Sequence, residues 1–119
     1  MNLDEFRREM ETYRRGADEE ANRRKDSVWV EKQLLQLYGR FDEHERLMAH
    51  QVFAEWALSR DEATRFDALV MIGRFKIVTA LPALRQLAER LRTERSPGAP
   101  FELDKVERLI IAITPASPT

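Results

Sequence analysis

The sequence predicts an all-α fold built on a repeated helical hairpin, and three observations carry that expectation. Apolar residues recur at steps of three and four along most of the 119-residue chain, the period of a helix with one buried face. Glycine and proline number only 4 and 5 and fall largely between those stretches, where they punctuate elements. Residues 35–57 overlay on residues 69–91 without a gap at an offset of 34, with eight identities in 23 positions. A period of that size marks a helix–turn–helix unit that stacks on its neighbours.

Residues 3–24 read as one long amphipathic helix. Asn2 is a good N-cap, and Glu5 stands at N3 to complete a capping box. Leu3, Phe6, Met10, Tyr13, Ala17 and Ala21 form a single stripe, and acid-before-base pairs such as Glu20–Arg24 brace the helix by a few tenths of a kcal/mol each. Gly16 is its weak point, because a mid-helix glycine costs about 1 kcal/mol against alanine. The stripe is most simply a face that docks onto the repeats, with a two-stranded coiled coil as the alternative.

Asp26 or Ser27 is placed to cap a second helix ending near Tyr38. Val28, Trp29, Leu34, Leu35, Leu37 and Tyr38 imply burial on two sides, and Gly39 stands where a left-handed residue ends a helix. Asp42 with Glu45 is a capping box for a third helix, about 43–58, whose inner face is Leu47, Val52, Phe53 and Trp56 with Ala49 and Ala57. Ser59 with Glu62 predicts the next start, for a helix over 60–72 ended by Gly73. The following helix begins near Val78 or Thr79, with Pro82 in its first turn and Leu81, Leu84, Leu87, Ala88 and Leu91 inward. A loop over 96–100 precedes a last helix, 102–113, with Leu103, Val106, Leu109, Ile110 and Ile113 inward. The organisation is thus a charged amphipathic helix (1–25), a repeat domain (26–113) and a flexible tail (114–119).

Within the overlay, Gly39, Arg40 and Phe41 fall on Gly73, Arg74 and Phe75, Leu47 on Leu81, Ala49 on Ala83, His50 on Leu84, and Ala54 and Glu55 on Ala88 and Glu89. Residues 108–113 echo 68–73, as the first helix of an unfinished third unit. Trp29 and Trp56 lack the partners that a tetratricopeptide repeat requires at fixed offsets. The second unit instead resembles a HEAT repeat: Arg65, then Ala68, Leu69, Ile72 and Gly73 closing the first helix, then Ala80, Leu81, Pro82, Ala83 and Leu84 opening the second. The resemblance is good across residues 60–95 and looser across 28–59, where Met48 replaces the helix-opening proline. It does not extend to residues 1–25. It implies a short right-handed α-solenoid of about two and a half HEAT-like hairpins, with the long N-terminal helix docked on it and the second helices lining a concave face. Such folds are mostly protein- or nucleic-acid-binding scaffolds.

The absence of cysteine excludes disulfides, thiolate metal sites and cysteine nucleophiles. The two histidines, His44 and His50, are six residues apart on opposed faces of one helix, which makes His50 a partly buried structural residue. No HExxH, GxxxxGK[ST] or GxSxG motif occurs. The expectation is therefore a protein with no catalytic, cofactor-binding or metal-ligating residues, and not an enzyme.

Twenty basic and 21 acidic residues leave a net charge of −1, which argues against a dedicated nucleic-acid binder. The balance is uneven: residues 26–64 carry eight acids against four bases, and residues 65–119 nine bases against six acids. HEAT-like DNA glycosylases line their concave face with Arg, Lys, an aromatic and a catalytic Asp, but here Glu55 and Glu89 interrupt any basic track. The remaining expectation is recognition of another protein through the second-helix face, with Gln51, Glu55, Arg85, Glu89 and Arg92 as the candidate residues. Its most specific form is a small bacterial inhibitor or immunity-type protein. A nucleic-acid-binding HEAT-like protein and a self-assembling structural protein are the alternatives, and the chain is expected to be a monomer or weak homodimer. The charged N-terminus reads as no secretory signal, and the apolar runs 68–72 and 109–113 are too short to cross a membrane. With arginine strongly preferred to lysine, as in a GC-rich genome, the expected setting is the bacterial cytoplasm.

Overall fold

The computed structural model describes residues 1–115, and all of its regular elements are helical. They are α1 (Leu3–Arg24), α2 (Trp29–Gly39), α3 (Glu43–Trp56), α4 (Glu62–Phe75), a 3-10 turn (Val78–Ala80), α5 (Leu81–Thr93) and α6 (Ala99–Ile113). Offset by 34, α2 and α3 fall within a few residues of α4 and α5, which is compatible with a helical repeat. No described helix is long and apolar enough to cross a membrane. The helices group into two compact units, Met1–Val52 and a second beginning at Phe53, with the boundary inside α3. Of the tail expected over 114–119, residues 116–119 lie outside the described residues, while Thr114 closes α6 by donating its amide and hydroxyl to the Ile110 carbonyl at 3.0 and 2.5 Å.

In the first unit α1 packs on α2. Phe6, Met10 and Ala17 are buried, Leu3, Tyr13 and Ala21 half-buried, so the stripe docks within the chain. The Phe6 and Phe41 rings stand 5.2 Å apart, and the Tyr13 hydroxyl donates to the Gln33 carbonyl at 3.3 Å. Asn2 caps α1 by accepting the Glu5 amide at 2.8 Å, and the helix runs through Gly16 without a break. Glu20 receives both Arg23 and Arg24, the latter at 2.8 Å. Asp42 and Glu45 form the full reciprocal box, each accepting the other's backbone amide at 2.8 and 3.0 Å.

Three expectations for this unit are corrected. Neither Asp26 nor Ser27 caps α2; Asp26 accepts the Val28 amide at 3.1 Å in a turn before the helix, which begins at Trp29 without a side-chain cap. Burial on α2 is one-sided, on Val30, Leu34 and Tyr38, while Val28 is exposed. Leu47, assigned to the inner face, is 61% exposed. The residues that are inward on α3 (Met48, Ala49, Val52, Phe53 and Trp56) define an arc that Leu47 falls outside at 100° per residue. Its overlay partner Leu81 is buried, so the repeat is one of elements more than of environments.

In the second unit α6 packs against both α4 and α5. Every residue of the predicted α5 stripe is buried: Leu81, Leu84, Leu87, Ala88 and Leu91. The cap of α4 is Asp61 in place of Ser59. Its carboxylate accepts the Thr64 amide at 3.1 Å, and the Ser59 hydroxyl accepts the Asp61 amide at 3.1 Å. α6 starts at Ala99, three residues before the expected 102, because Ala99 is buried and Pro100 fits the first turn.

The glycine helix stops are also corrected. No glycine adopts positive φ; among the described residues the left-handed ones are Lys25 and Lys76. Each lysine completes a Schellman pair, in which Asp26 donates to Ala21 at 3.1 Å and Ile77 to Ile72 at 3.0 Å. Gly73 lies inside α4, where a Cβ would meet Leu109 Cδ1 at 3.1 Å, so its small size is used for the approach of α6. Gly39 closes α2 in the right-handed region.

One buried charge holds this unit together. Arg65 is 8% exposed, and its guanidinium donates Nε and Nη2 to the two carboxylate oxygens of Glu102 at 2.7 and 2.8 Å. Nη1 donates to the carbonyls of Ser59 and Arg60 at 3.1 and 3.2 Å. Arg90 of α5 reaches the same turn, donating to the Leu58 carbonyl at 3.0 Å. The Glu102 bond raises the Arg65 pKa against the opposing effect of burial, so the charge is kept.

Arg65→Ala should cost about 3 kcal/mol or more in urea denaturation, because Glu102 is left half-buried without its partner. The double variant Arg65→Met/Glu102→Leu should cost less than either single change. Gly16→Ala should raise stability by about 1 kcal/mol, since nothing lies within 4 Å of its added methyl. Gly73→Ala should gain less, because Leu109 must first give way.

Candidate protein-binding surface

Arg85, Glu89 and Arg92 follow one another at four and three residues along α5, on a flank of the helix beside its buried stripe, and all three are exposed. Glu89 is held by Arg92, a surface pair worth well under 1 kcal/mol. Glu55 is exposed near the end of α3 and belongs to the second unit with these three; Gln51 is exposed and belongs to the first. The α5 residues thus form a mixed-sign strip on one helix, in which an acid stands between two bases.

A second surface in the same unit was not legible from the repeat. Between α4 and α6 lies a groove of about 210 Å³ lined by Glu62, Phe66, Leu69, Phe101, Lys105 and Glu102, the last of which is the partner of Arg65. Phe66 is 54% exposed and Phe101 75%, an uncommon disposition for two neighbouring aromatic side chains. The Lys105 ammonium stands 6.0 Å from the centre of the Phe66 ring, at the outer reach of a cation–π contact. The groove pairs apolar walls with charged edges, and the Arg65–Glu102 fork ties α4, which carries one wall, to α6, which carries the other. Phe66 follows Arg65 but lies off the arc of Ala68, Met71 and Ile72, which was the available signal. Phe101 falls on a helix only because α6 starts early.

In the first unit, Tyr38 Oη and His50 Nε2 are 2.7 Å apart, with their rings nearly parallel. The Arg46 guanidinium stands 5.2 Å from the Tyr38 ring. Burial lowers the His50 pKa and Arg46 adds to the effect; burial raises that of Tyr38, with Arg46 opposing. His50 is half-buried and satisfied, as a structural histidine should be. Among the described residues no group of three or more His, Asp or Glu is placed to hold a metal ion.

A histidine whose folded pKa lies below its unfolded value of 6.5 binds fewer protons when folded. Its contribution is complete above pH 6.5 and is lost as pH falls below that value through the folded pKa. Stability measured by urea denaturation should therefore drop between about pH 7 and pH 5 more in the parent than in His50→Gln.

In comparisons with known proteins, no family model, no curated protein and no solved structure matches the chain.

Proposed function

We propose that the chain is a non-catalytic protein-binding module that engages its partner through the Phe66–Phe101 face of α4 and α6, with the charged α5 strip available as a second contact. The observation that carries this reading is the pair of exposed aromatic rings on helices joined by a buried arginine whose three nitrogens all donate hydrogen bonds. Aromatic side chains are enriched at interface hot spots because they bury large area at small entropic cost, and a rigid mount lowers that cost further. We infer further that the helices stack as a short right-handed HEAT-like α-solenoid. The 34-residue period, the matched helix spans and the packing of α6 on both α4 and α5 support that inference. The narrowest form of the reading is a small bacterial inhibitor or immunity-type protein that holds one cognate protein in a 1:1 complex.

Affinity capture from the source organism tests it. A stoichiometric protein partner should be retained at high salt, and Phe66→Ser/Phe101→Ser should weaken its binding by about 30-fold or more, as for a hot spot worth about 2 kcal/mol. Arg85→Glu/Arg92→Glu should have a smaller effect. A partner indifferent to the two phenylalanines, or the absence of any stoichiometric protein, would overturn the proposal.

A further inference from the structure

The outer face of α6 carries a pattern that its inner packing does not use. Phe101, Asp104, Arg108 and Ile111 are spaced by three, four and three residues, the a/d spacing of two heptads, and fall on one stripe of the helix. That stripe lies opposite Ala99, Val106 and Ile113, the residues that α6 buries. Phe101 and Ile111 are 75% and 76% exposed, and the side chains of Asp104 and Arg108 are 61% and 80% exposed. Within one chain Arg108 Nε and Asp104 Oδ2 are 3.1 Å apart.

The order of these four residues is complementary to its own reverse. When two copies of α6 are laid antiparallel about a two-fold axis at Val106, Phe101 of each meets Ile111 of the other, and Asp104 meets Arg108. A parallel pair would instead set Asp104 against Asp104 and Arg108 against Arg108. An antiparallel slip of one heptad would set Phe101 against Asp104 or Arg108 against Ile111, burying charge against hydrocarbon. Only the centred antiparallel register satisfies both kinds of contact. Phe101 is also the edge of the groove it shares with Phe66 and Leu69, which gives Ile111 of the second copy apolar surface beyond the helix itself.

We propose that α6 is a self-association helix and that two copies of this chain pair antiparallel through Phe101, Asp104, Arg108 and Ile111. This is an isologous contact, closed by one two-fold axis. It rests on the reading that this face binds protein, and it makes a second copy one occupant of the face. The same register brings Glu107 near its own equivalent across the axis, a like-charge approach that keeps the pair weak. A weak dimer can give way to a tighter protein partner on the same surface.

Sedimentation of the purified chain tests the pairing independently of any lysate partner. The parent should rise from its 14.0 kDa monomer mass towards twice that value between micromolar and millimolar concentration. Ile111→Glu should raise the dimer dissociation constant by at least 30-fold. Asp104→Arg should do the same by opposing two arginines, and Asp104→Arg/Arg108→Asp should restore the parent value. The chain has no cysteine, so Glu107→Cys should give a covalent dimer on mild oxidation, whereas Glu19→Cys on α1 should not. A chain monomeric at every concentration, a dimer indifferent to charge reversal, a charge swap without rescue, or no cross-link at position 107 would each overturn the proposal. Failure here with retained capture of a heterologous protein would leave the protein-binding reading standing. A dimer that forms while no such protein is captured would overturn the proposed function and leave the pairing of two copies standing.

Discussion

The second unit depends on a single buried guanidinium. Arg65 reaches from α4 to the carboxylate of Glu102 on α6 and to two carbonyls of the turn that follows α3. Burying an arginine is costly, and the cost is met only if its nitrogens find hydrogen-bond partners, as all three of Arg65 do. Here the partners come from two separate places along the chain, and no buried side-chain polar atom among the described residues lacks one. The fork therefore sets the spacing of α4 and α6, and that spacing defines the groove above it.

The way helices end shows how local chemistry is overridden. Gly39 and Gly73 repeat at the same offset, and a C-terminal glycine in the left-handed region would be the ordinary use of both. Lys76 takes that conformation instead, because Ile77, 2% exposed, then completes the Schellman bond while its side chain enters the core. Burial of that isoleucine outweighs the modest steric cost of a left-handed lysine. Gly73 is left for another purpose, the close approach of Leu109. A repeated residue need not keep a repeated role, as Leu47 and Leu81 also show.

Two surfaces of unlike character follow from this arrangement. The α5 strip is polar, with opposite charges that satisfy one another along the helix. The α4–α6 face holds exposed aromatic carbon beside charged edges, and α6 continues it through Ile111. α6 is thus amphipathic twice over: its inner stripe is consumed by α4 and α5, and its outer stripe is left with a pattern that matches its own reverse.

How much was legible in the sequence divides along physical lines. The helical class, the Asn2 and Asp42 caps, the proline start of α5, its buried stripe and the docking stripe of α1 are consequences of contacts within one or two turns, and local spacing determines such contacts. The half-buried state of His50 was likewise readable, from a polar residue placed where the overlay has Leu84. The use of Gly73 and the pairing of Arg65 with Glu102 were not readable. Each depends on which residues 20 or more positions away arrive against the helix, and helical periodicity carries no record of that. The groove belongs to this second class. Phe66 and Phe101 are 35 residues apart in the sequence, and only the packing of α4 against α6 makes them neighbours.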